Sequence, residues 1–425
     1  MPINEAFESC LNNLLVDNED SIFQKIKRIV KILNKELYNI DSDIEHSYII
    51  GSFGRDTAIK GVSDLDIIFA LPDDLYYTYN AYETNGQSAL LQKIRNIIGL
   101  TYSQTDIRGD GQVVVIQFTG FKIELCPAFL ESDDTFTYPD SNDGGSWKVT
   151  KPLQENLAME ELNTLSEHTL IRLCRFIRAW KNKFGLKLGG LLIDTWCYDY
   201  LKENIQFYDE GFDHFPEIIK DFFNYLSNFS ADRRYWYSPG AKQKVYKKIN
   251  INRKVKKSLE IATAAYDLED ANKQSQKYRA LFGKAFPYTN ILLEKAENVI
   301  NNEEFVEERF QLDIIYSLRI DCKVSQDGYR TELLRSLKVI RNKKSLLFFI
   351  SHCDVPRPYE VYWKIKNLGQ MAIDKNMIRG QIIKDLGHEE RKETSTFNGP
   401  HYVECYIVKD GICVARARIN VPISL

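Results

Sequence analysis

The 425-residue sequence predicts a mixed α/β protein in three parts, because the spacing of its apolar residues changes twice along the chain. Residues 48–129 carry the short apolar runs typical of strands, with one helical stretch near residues 88–99. Residues 151–305 carry apolar positions at helical spacing. From residue 311 onward, apolar and polar residues alternate in several short segments, which is typical of a β-sandwich. We therefore expect domains at residues 1–150, 151–310 and 311–425.

Length and composition are those of an ordinary globular protein. Charged residues make up 27% and hydrophobic residues 44% of the sequence, and its length suits two or three domains. The net charge of −3 argues against a protein that coats long nucleic acids, because such proteins usually present a basic surface. We therefore expect no stable long nucleic-acid partner.

The distribution of apolar residues and cysteines predicts a cytoplasmic protein with no membrane partner. The N-terminus, MPINEAFESC, lacks the basic and apolar regions of a signal peptide, and no run of about 18 apolar residues occurs. The eight cysteines form no C-x-x-C pair, so we expect buried free thiols in a reducing compartment and no structural zinc site.

The first predicted element is an amphipathic helix over residues 21–37. Its apolar residues recur every three or four positions: Ile22, Ile26, Ile29, Leu33 and Leu37. We expect this helix to brace the sheet formed by the strands that follow residue 48.

The most informative segment is residues 51–71, GSFGRDTAIKGVSDLDIIFAL. Its Gly-Ser turn follows an apolar strand, and Asp64 and Asp66 open a second one. Because successive strand residues point to opposite faces, both aspartates project to the same side. Two such carboxylates can bind Mg²⁺, and the turn offers N–H groups and a hydroxyl to a phosphate. The segment therefore predicts a site for phosphoryl or nucleotidyl transfer.

The Asp-x-Asp pair and the Gly-Ser turn of this segment each also occur in other proteins without forming a functional site. Asp-x-Asp is common on solvated surfaces, and Gly-Ser alone marks only a turn. A functional site is favoured here by the order in which polar residues follow the turn: Arg55, Thr57, Ser63, Asp64 and Asp66.

Residues 51–71 resemble the GS…SDxD signature of the DNA polymerase β-like nucleotidyltransferases. They are most similar to the bacterial cyclic-oligonucleotide synthases of CBASS antiphage systems, the CD-NTase or SMODS family, which includes relatives of cyclic GMP-AMP synthase. The resemblance implies a polymerase-β-like palm followed by a helical lobe. It also implies a set of nucleotide-binding residues and a set of metal ligands: Gly51, Ser52, Arg55 and Ser63 for the nucleotide, and Asp64, Asp66 and a third carboxylate for two Mg²⁺ ions.

A hairpin predicted at residues 113–125 supplies a candidate for the third carboxylate. Its second strand would turn Ile123 and Leu125 to the core and Glu124 to the opposite face. We expect this strand to end at residues 126–128, Cys-Pro-Ala, since proline cannot donate to the ladder. This resembles the family's acid-hydrophobic-x-Pro-Ala ending, with glutamate in place of aspartate. An exposed glutamate paired with a lysine is the alternative.

Two other acids lie close to the hairpin in sequence. Asp106 and Asp110 belong to the glycine-rich segment TDIRGDG, which predicts a polar loop without strand register. We therefore prefer Glu124 as the third ligand.

Two-metal chemistry explains why three carboxylates are needed. One ion would lower the pKa of the attacking ribose hydroxyl, and the other would hold the triphosphate and the leaving pyrophosphate. By resemblance to the family, Glu124 lies nearest the acceptor hydroxyl and takes its proton. We expect Mg²⁺, with Mn²⁺ as the alternative. We expect NTP substrates, namely ATP, with GTP or a pyrimidine NTP as further candidates.

A polar loop is predicted over residues 135–152, TFTYPDSNDGGSWKVTKP. Its glycine pair beside Trp147 and Lys148 suits a nucleotide, through close backbone approach, a stacking ring and a cation. The synthase family has a similar loop. A plain surface loop is the alternative.

A helix is predicted over residues 166–185, with Ser166 as its N-cap and Gly185 as its stop. Lys181 lies at the edge of its apolar stripe. A lysine directed inward needs an anionic partner, and the family places a phosphate-binding lysine at this point of the helix. A lysine that snorkels from the edge of the stripe is the alternative.

Residues 311–425 resemble the C-terminal AGS-C sensor domain attached to such synthases. The similarity rests on the segments PYEVYWKIKNLG, RGQI and FNGPHYVECYIVKDGICVARARI. Tyr362, Lys364, Arg379 and His401 offer a recognition face for a nucleotide or a partner, but we expect them to be ordinary exposed strand residues.

These features together predict an Mg²⁺-dependent enzyme that joins NTPs into a cyclic di- or trinucleotide second messenger in antiphage signalling, with release of pyrophosphate. The messenger would act on a separate effector protein. Two alternatives stay open. One is a linear oligoadenylate or RNA-tailing nucleotidyltransferase, and the other is a catalytically silent nucleotide sensor.

Overall fold

The computed structural model describes residues 1–17, 19–62, 64–118, 120–209, 211–288, 304–326, 330–337, 339–340, 344–367, 379–395 and 400–423. Ser63 lies outside the described residues. Within these ranges the chain forms a mixed sheet with helices, then a mainly helical region, then a strand-rich region, so the predicted α/β class is confirmed. The domain boundaries at residues 150 and 310 stay a prediction.

The helices of the described ranges are numbered in chain order. They are α1 Ile3–Leu14, α2 Glu19–Tyr38, α3 Gly51–Gly54, α4 Asp73–Asn80, α5 Gly86–Thr101, α6 Pro152–Leu165, α7 Thr169–Phe184, α8 Gly190–Glu203, α9 Phe215–Ser227, α10 Asn252–Tyr266, α11 Ala271–Phe282 and α12 Val306–Arg309.

The strands of the same ranges are β1 Ser47–Ile49, β2 Asp64–Ala70, β3 Asp106–Asp110, β4 Val113–Phe118, β5 Phe121–Leu130, β6 Phe136–Asp140, β7 Ser146–Thr150, β8 Tyr235–Tyr237, β9 Lys244–Tyr246, β10 Gln311–Leu312, β11 Leu318–Ser325, β12 Glu332–Leu333, β13 Ser345–Cys353, β14 Glu360–Asn367, β15 Ile382–Lys384, β16 Glu390–Thr394, β17 Pro400–Lys409 and β18 Ile412–Pro422.

The first sheet has the order β1-β2-β5-β4-β3, with β6 and β7 attached beyond β5. Strands β2 and β5 run parallel, and their neighbours in the sheet are antiparallel. One face packs on α2 and α5, where Leu65, Ile67 and Ile123 join a buried cluster with Ile29 and Ile94. The predicted brace helix is therefore confirmed, as α2, and it leaves the opposite face of β2 and β5 for the acidic residues.

Three local predictions for this sheet are wrong. Residues 135–152 are not a loop, because β6 and β7 pair as an antiparallel hairpin. Asp106 and Asp110 lie in β3, registered against β4. Strand β5 does not end at Pro127 but runs to Leu130. Since β4 pairs with β5 only as far as Leu125, the missing N–H of Pro127 faces an edge, where proline is tolerated.

Helix α7 begins three residues later than predicted. Its first residue is Thr169, and the hydroxyl of Ser166 accepts a hydrogen bond from the Leu170 N–H at 3.3 Å. The helix ends as predicted at Gly185, which has a left-handed φ of 61°.

A buried ion network fixes the loop after α3 to the helical region. Asp194 of α8 is fully buried and accepts hydrogen bonds from Arg178 Nη2 at 2.7 Å and from Arg55 Nε at 2.9 Å. Thr57 also donates to Asp194, at 3.1 Å, and Arg55 reaches Glu155 of α6 at 3.4 Å. The segment that precedes β2 is thus held by side chains of three helices.

The C-terminal strands form two stacked sheets, β10-β18-β17-β14-β15 and β12-β11-β13-β16. A shared core joins residues of both sheets, including Cys322, Phe348, Val403 and Cys405. This arrangement is the β-sandwich-like domain predicted from the alternating pattern.

Tyr362, Lys364 and His401 are all buried, which corrects the expectation that they are exposed, and Lys364 keeps only 2% exposure. Tyr362 and Lys364 lie on the outer face of the first of these sheets, which charged and aromatic groups cover: Lys364 lies 3.8 Å from Glu404, and Tyr362 packs on Phe310. His401 lies on the opposite face, the one that Val403 and Cys405 turn to the core between the sheets. Arg379 binds Glu393 instead, at 2.6 Å.

All eight cysteines are free thiols, and seven of them are buried, as predicted.

Among the helices of the described ranges, none combines the length and the apolarity needed to cross a membrane.

Replacing Asp194 with alanine is expected to destabilise the fold. The change leaves the guanidinium groups of Arg55 and Arg178 buried without their shared carboxylate, which costs about 3–5 kcal/mol of unfolding free energy. Urea denaturation followed by circular dichroism measures the loss. Asp41→Ala is the control, because its ion pair with Lys31 is exposed. An unchanged midpoint for Asp194→Ala would show that the network does not hold the fold.

Candidate active site

Three carboxylates meet on the open face of the first sheet. Asp64 and Asp66 lie on β2, and Glu124 lies on β5 directly opposite Asp66 in the parallel register. Each of the three offers an oxygen within 4.8 Å of the others, and all are half-buried. The prediction that both aspartates share a face with Glu124, away from Ile123 and Leu125, is confirmed.

The three acids strongly perturb one another. Burial, together with the charges of Asp313, Asp66 and Glu124, raises the pKa of Asp64 to about 8. Burial and the charge of Glu124 raise the pKa of Asp66 to about 6, although Arg55 opposes the shift. The folded chain therefore concentrates negative charge at this point, and a divalent cation would relieve the repulsion.

Oxygen ligands alone make up this cluster, which fits Mg²⁺ or Mn²⁺ better than zinc. The cluster contains no histidine or cysteine, the ligands that zinc prefers. Two carboxylates from one strand and one from the next can share two ions, so the residues fit the two-metal site implied by the family resemblance. Their roles as metal ligands stay a prediction.

The Gly-Ser turn closes directly over the acids. Gly51 and Ser52 begin the single helical turn α3, and Gly51 adopts a left-handed φ of 66°. A Cβ on Gly51 would lie only 2.0 Å from Asp66 Oδ2, so glycine alone allows this approach. The carbonyl oxygen of Ser52 accepts from Thr57 N at 2.8 Å, which folds the following loop back toward the turn.

Glu124 also has the lysine partner that the alternative interpretation requires. Lys122, two residues earlier on the same face, donates to Glu124 Oε1. The two side chains remain 21% and 26% exposed. The charges of Glu124, Asp64 and Asp313 outweigh burial and raise the pKa of Lys122. The ion pair therefore belongs to the acidic cluster, and a metal-binding role for Glu124 is compatible with it.

Lys181 is directed inward from α7, as its place at the edge of the apolar stripe of this helix indicated. It keeps 9% exposure, and burial lowers its pKa, while Asp313 and Asp64 favour its charged form. A buried ammonium near the acids could neutralise a bound triphosphate. Its contact with a nucleotide stays a prediction.

Arg55 lies in the buried network of Asp194 and Glu155 rather than on an open surface. Its charge still acts on Asp66. Arg55 therefore has a structural role in addition to the nucleotide contact that the resemblance implies, and the latter stays a prediction.

Trp147 and Lys148, which we predicted to contact a nucleotide, already have partners within the chain. Trp147 packs on Tyr76, with ring centroids 5.0 Å apart, and its indole N–H donates to Asn80 at 3.0 Å. Lys148 pairs with Asp140 across the hairpin. Both residues fix β7 to its surroundings, and their contact with a nucleotide stays a prediction.

Sequence reasoning missed two acids near this site, Asp194 and Asp313. Asp194 holds the loop before β2 through Arg55 and Arg178, and Asp313 brings a fourth acid from the C-terminal region. Neither acid lies in a motif. Arg178 lies on the flank of the apolar stripe of α7, which made it a weaker candidate than Lys181 for the phosphate contact.

Two known families match separate ranges of the chain. Residues 1–163 match the family described as "Second Messenger Oligonucleotide or Dinucleotide Synthetase domain". Residues 300–424 match the family described as "Adenylyl/Guanylyl and SMODS C-terminal sensor domain". The predicted family, a cyclic-oligonucleotide synthase with a C-terminal sensor domain, is confirmed over these ranges.

Individual relatives are more distant. A cyclic GMP-AMP synthase of Escherichia albertii is 28% identical over 105 residues, which are 24% of this chain and 24% of that protein. The aligned region thus spans about a quarter of the curated relative.

Solved structures resemble the chain only loosely. The E. coli MS115-1 CdnC structure with ATP is 14% identical, covers 68% of this chain and 99% of its own, and has a TM-score of 0.48. The Vibrio cholerae DncV cyclic AMP-GMP synthase with a linear intermediate is 13% identical, covers 67% and 87%, and has a TM-score of 0.47. At this similarity, residue roles must come from the geometry of this chain.

Substituting Gly51 with alanine is expected to weaken divalent-cation binding by about tenfold to a hundredfold, because the new methyl group displaces the Asp66 carboxylate. Isothermal titration with Mn²⁺ measures the affinity. Gly99→Ala is the matched control, since its Cβ would meet nothing within 4 Å on α5. Equal Mn²⁺ affinity in both variants would contradict the close contact with Asp66.

Proposed function

We propose that this protein is a divalent-metal-dependent nucleotidyltransferase that joins NTPs into a cyclic di- or trinucleotide second messenger and releases pyrophosphate. The observation that carries the proposal is the approach of Asp64, Asp66 and Glu124 to within 4.8 Å on one face of the sheet. The match of residues 1–163 to a second-messenger synthetase family supports the same activity. Mg²⁺ is the physiological ion of the proposal, and Mn²⁺ is a substitute.

The three carboxylates hold the metal ions in this proposal. Bound there, two divalent cations would activate the acceptor ribose hydroxyl and stabilise the charge of the leaving pyrophosphate. Asp66 and Glu124 are direct neighbours in the β2–β5 register, so their carboxylates can share both ions. Glu124 accepts the proton of the acceptor hydroxyl, and Lys122 keeps its carboxylate oriented.

The remaining residues bind and orient the triphosphate. Lys181 supplies a buried positive charge from α7, and Ser52 supplies a hydroxyl from the turn whose Gly51 closely approaches Asp66. The contacts with Asp194 fix Arg55 and Thr57, which follow α3, to the helical region, so that the turn beside Asp66 retains one geometry through the reaction. ATP is the proposed first substrate, with GTP or a pyrimidine NTP as the second.

The biological setting follows from the family and is part of the proposal. The cyclic product would act on a separate effector protein in the cytoplasm during antiphage defence. The C-terminal region, which matches a sensor family, would control when the product is made.

Product analysis tests the proposed activity. The purified chain is incubated with each pair of labelled NTPs and with Mg²⁺ or Mn²⁺, and the products are characterised by mass and by phosphatase treatment. A phosphatase-resistant product whose mass lacks terminal phosphates supports cyclisation. Products with free ends would instead indicate a linear polymerase, and the absence of any product with every NTP pair would indicate a silent nucleotide sensor.

Replacing Asp66 with alanine is expected to reduce Mg²⁺-dependent pyrophosphate release by about a hundredfold or more, because the central metal ligand is lost. A coupled pyrophosphate assay measures the rate. Asp106→Ala is the control, since this acid lies on β3 and pairs with Arg108. Wild-type turnover in Asp66→Ala would refute the proposed mechanism.

Exchanging Lys181 for glutamine is expected to raise KM for the NTP by about tenfold to a hundredfold, because one charge-assisted contact with the triphosphate is lost. Steady-state kinetics with ATP measures this, and the matched control is Lys202→Gln, an exposed lysine of α8. If KM stays at the wild-type value, Lys181 is only a snorkelling lysine.

A further inference from the structure

A two-stranded sheet in the helical region presents an outward face that the proposed activity does not use. Strands β8 and β9 pair in antiparallel register, with Tyr235 opposite Tyr246 and Tyr237 opposite Lys244. Because strand residues alternate between faces, these four side chains share one face. The tyrosines keep between 39% and 56% exposure, and Lys244 is also exposed. We call this face of four residues the tyrosine platform.

The opposite face of the same sheet is anchored in the core of the helical region. Trp236 keeps 1% exposure and packs on Trp196 of α8, with ring centroids 5.4 Å apart. In the turn, Ser238 N donates to the Gln243 carbonyl at 2.8 Å, and Gln243 Nε2 donates to the Val149 carbonyl of β7 at 3.2 Å. The platform therefore has a fixed base, which lowers the entropy cost of binding a partner.

The chain around the platform is strongly basic. Residues 233–257 contain ten lysine or arginine residues and no acid, although the whole chain has a net charge of −3. Lys242 and Lys248 flank β9 and are exposed. Burial raises the pKa of Asp199 of α8, and the charge of Lys242 opposes this shift. Among the described residues, no carboxylate forms an ion pair with Lys242, Lys244 or Lys248, so their charges stay available to an anionic partner.

The platform places aromatic rings beside a cation. Lys244 Nζ lies 4.6 Å from the ring centroid of Tyr235. The Tyr235 ring also contacts those of Tyr237 and Tyr246, with centroids 5.7 and 5.9 Å apart. Proteins bind single-stranded nucleic acids in this way, with bases stacked on aromatic rings and cations along the backbone. The platform has no aliphatic side chain to insert into a lipid surface, which argues against a membrane partner.

The tyrosine hydroxyls favour RNA over DNA as this partner. Within the part of the chain that the structure describes, none of the three hydroxyls takes part in a hydrogen bond. A phenol hydroxyl can donate to or accept from the ribose 2′-hydroxyl, which DNA lacks. Residues 242–248 span at most about 20 Å at strand spacing, which suits only a few nucleotides. A short strand agrees with the expectation that no long nucleic acid is a stable partner.

We propose that the tyrosine platform binds a short segment of single-stranded RNA. The bases stack on the tyrosine rings, and the phosphates pair with Lys242, Lys244 and Lys248. This binding goes beyond the proposed nucleotidyl transfer, because none of the platform residues belongs to the acidic cluster. It requires neither a metal ion nor an NTP.

The test measures binding of the full chain to a fluorescein-labelled single-stranded RNA of mixed sequence and about 12 nucleotides, by fluorescence anisotropy in EDTA. The logarithm of the wild-type affinity is expected to fall against the logarithm of salt concentration with a slope of about −2, as three phosphate contacts predict. Combined Lys242→Gln, Lys244→Gln and Lys248→Gln is expected to remove most of this slope and to weaken binding by about tenfold or more in about 50 mM salt.

A matched control removes the same charge from other surfaces. The control combines three exposed lysines of α2 and α11, Lys27→Gln, Lys35→Gln and Lys273→Gln, and is expected to bind RNA like the wild type. An equal loss of affinity in the control overturns the proposal, because binding would then depend on total charge alone. Absence of RNA binding by the wild type at low salt overturns it as well.

Two further variants test the rings and the hydroxyls separately. Combined Tyr237→Ser and Tyr246→Ser is expected to weaken binding by about tenfold or more with the salt slope unchanged, because only stacking is lost. Combined Tyr237→Phe and Tyr246→Phe keeps the rings, so it should retain most of the affinity but lose preference for RNA over DNA of the same sequence. Circular dichroism confirms that each variant is folded.

The remaining outcomes decide the identity of the partner. Unchanged RNA binding after the serine substitutions overturns base stacking, and equal or tighter wild-type binding of DNA overturns the choice of RNA. Binding to phosphatidylserine vesicles or to polyglutamate, with none to RNA, would identify a lipid or an acidic protein instead. Asp66→Ala is expected to bind RNA like the wild type, so failure of this inference and failure of the proposed function are distinguishable.

Discussion

The parallel pairing of β2 with β5 is the constraint on which the rest of the site depends. It places Asp66 directly opposite Glu124, while the alternation of β2 places Asp64 on the same face. The other face of both strands is buried against α2 and α5, so the register cannot slip by one residue without turning the carboxylates into the core. The apolar residues of the sheet therefore fix the geometry of its acids.

A second layer of contacts makes this geometry rigid from outside the sheet. Gly51 lets the backbone of α3 approach Asp66, and the Arg55–Asp194–Arg178 network ties the following loop to α7 and α8. Buried ion pairs contribute little net stability but enforce one arrangement when every charge is matched. The charge of Asp313, from the C-terminal region, also acts on Asp64 and on Lys181. The three acids, the lysine proposed to bind phosphate and part of the C-terminal region thus share one electrostatic environment.

The local pattern of apolar and polar residues was enough to predict that the three acids share a face, but it did not predict which residues surround them. Alternation in residues 64–70 and 121–125 gave the shared face of Asp64, Asp66 and Glu124, and helical spacing gave the inward direction of Lys181. The hairpin of Trp147 was missed because its polar, glycine-rich composition is that of a loop, and only pairing with β6 makes it a strand. The positions of Asp194 and Asp313 and the burial of Lys364 depend on contacts between segments that are far apart in the sequence. The periodicity of a single segment carries no information about such contacts.

The proposed function depends on a divalent-metal site formed by the three acids of the first sheet. Anomalous diffraction at the manganese edge, from crystals of the protein grown with Mn²⁺ and an NTP analogue that cannot react, locates the bound ions. We expect anomalous peaks between the carboxylates of Asp64, Asp66 and Glu124. Strong peaks only elsewhere in the protein, with clear density for these three side chains, would contradict it.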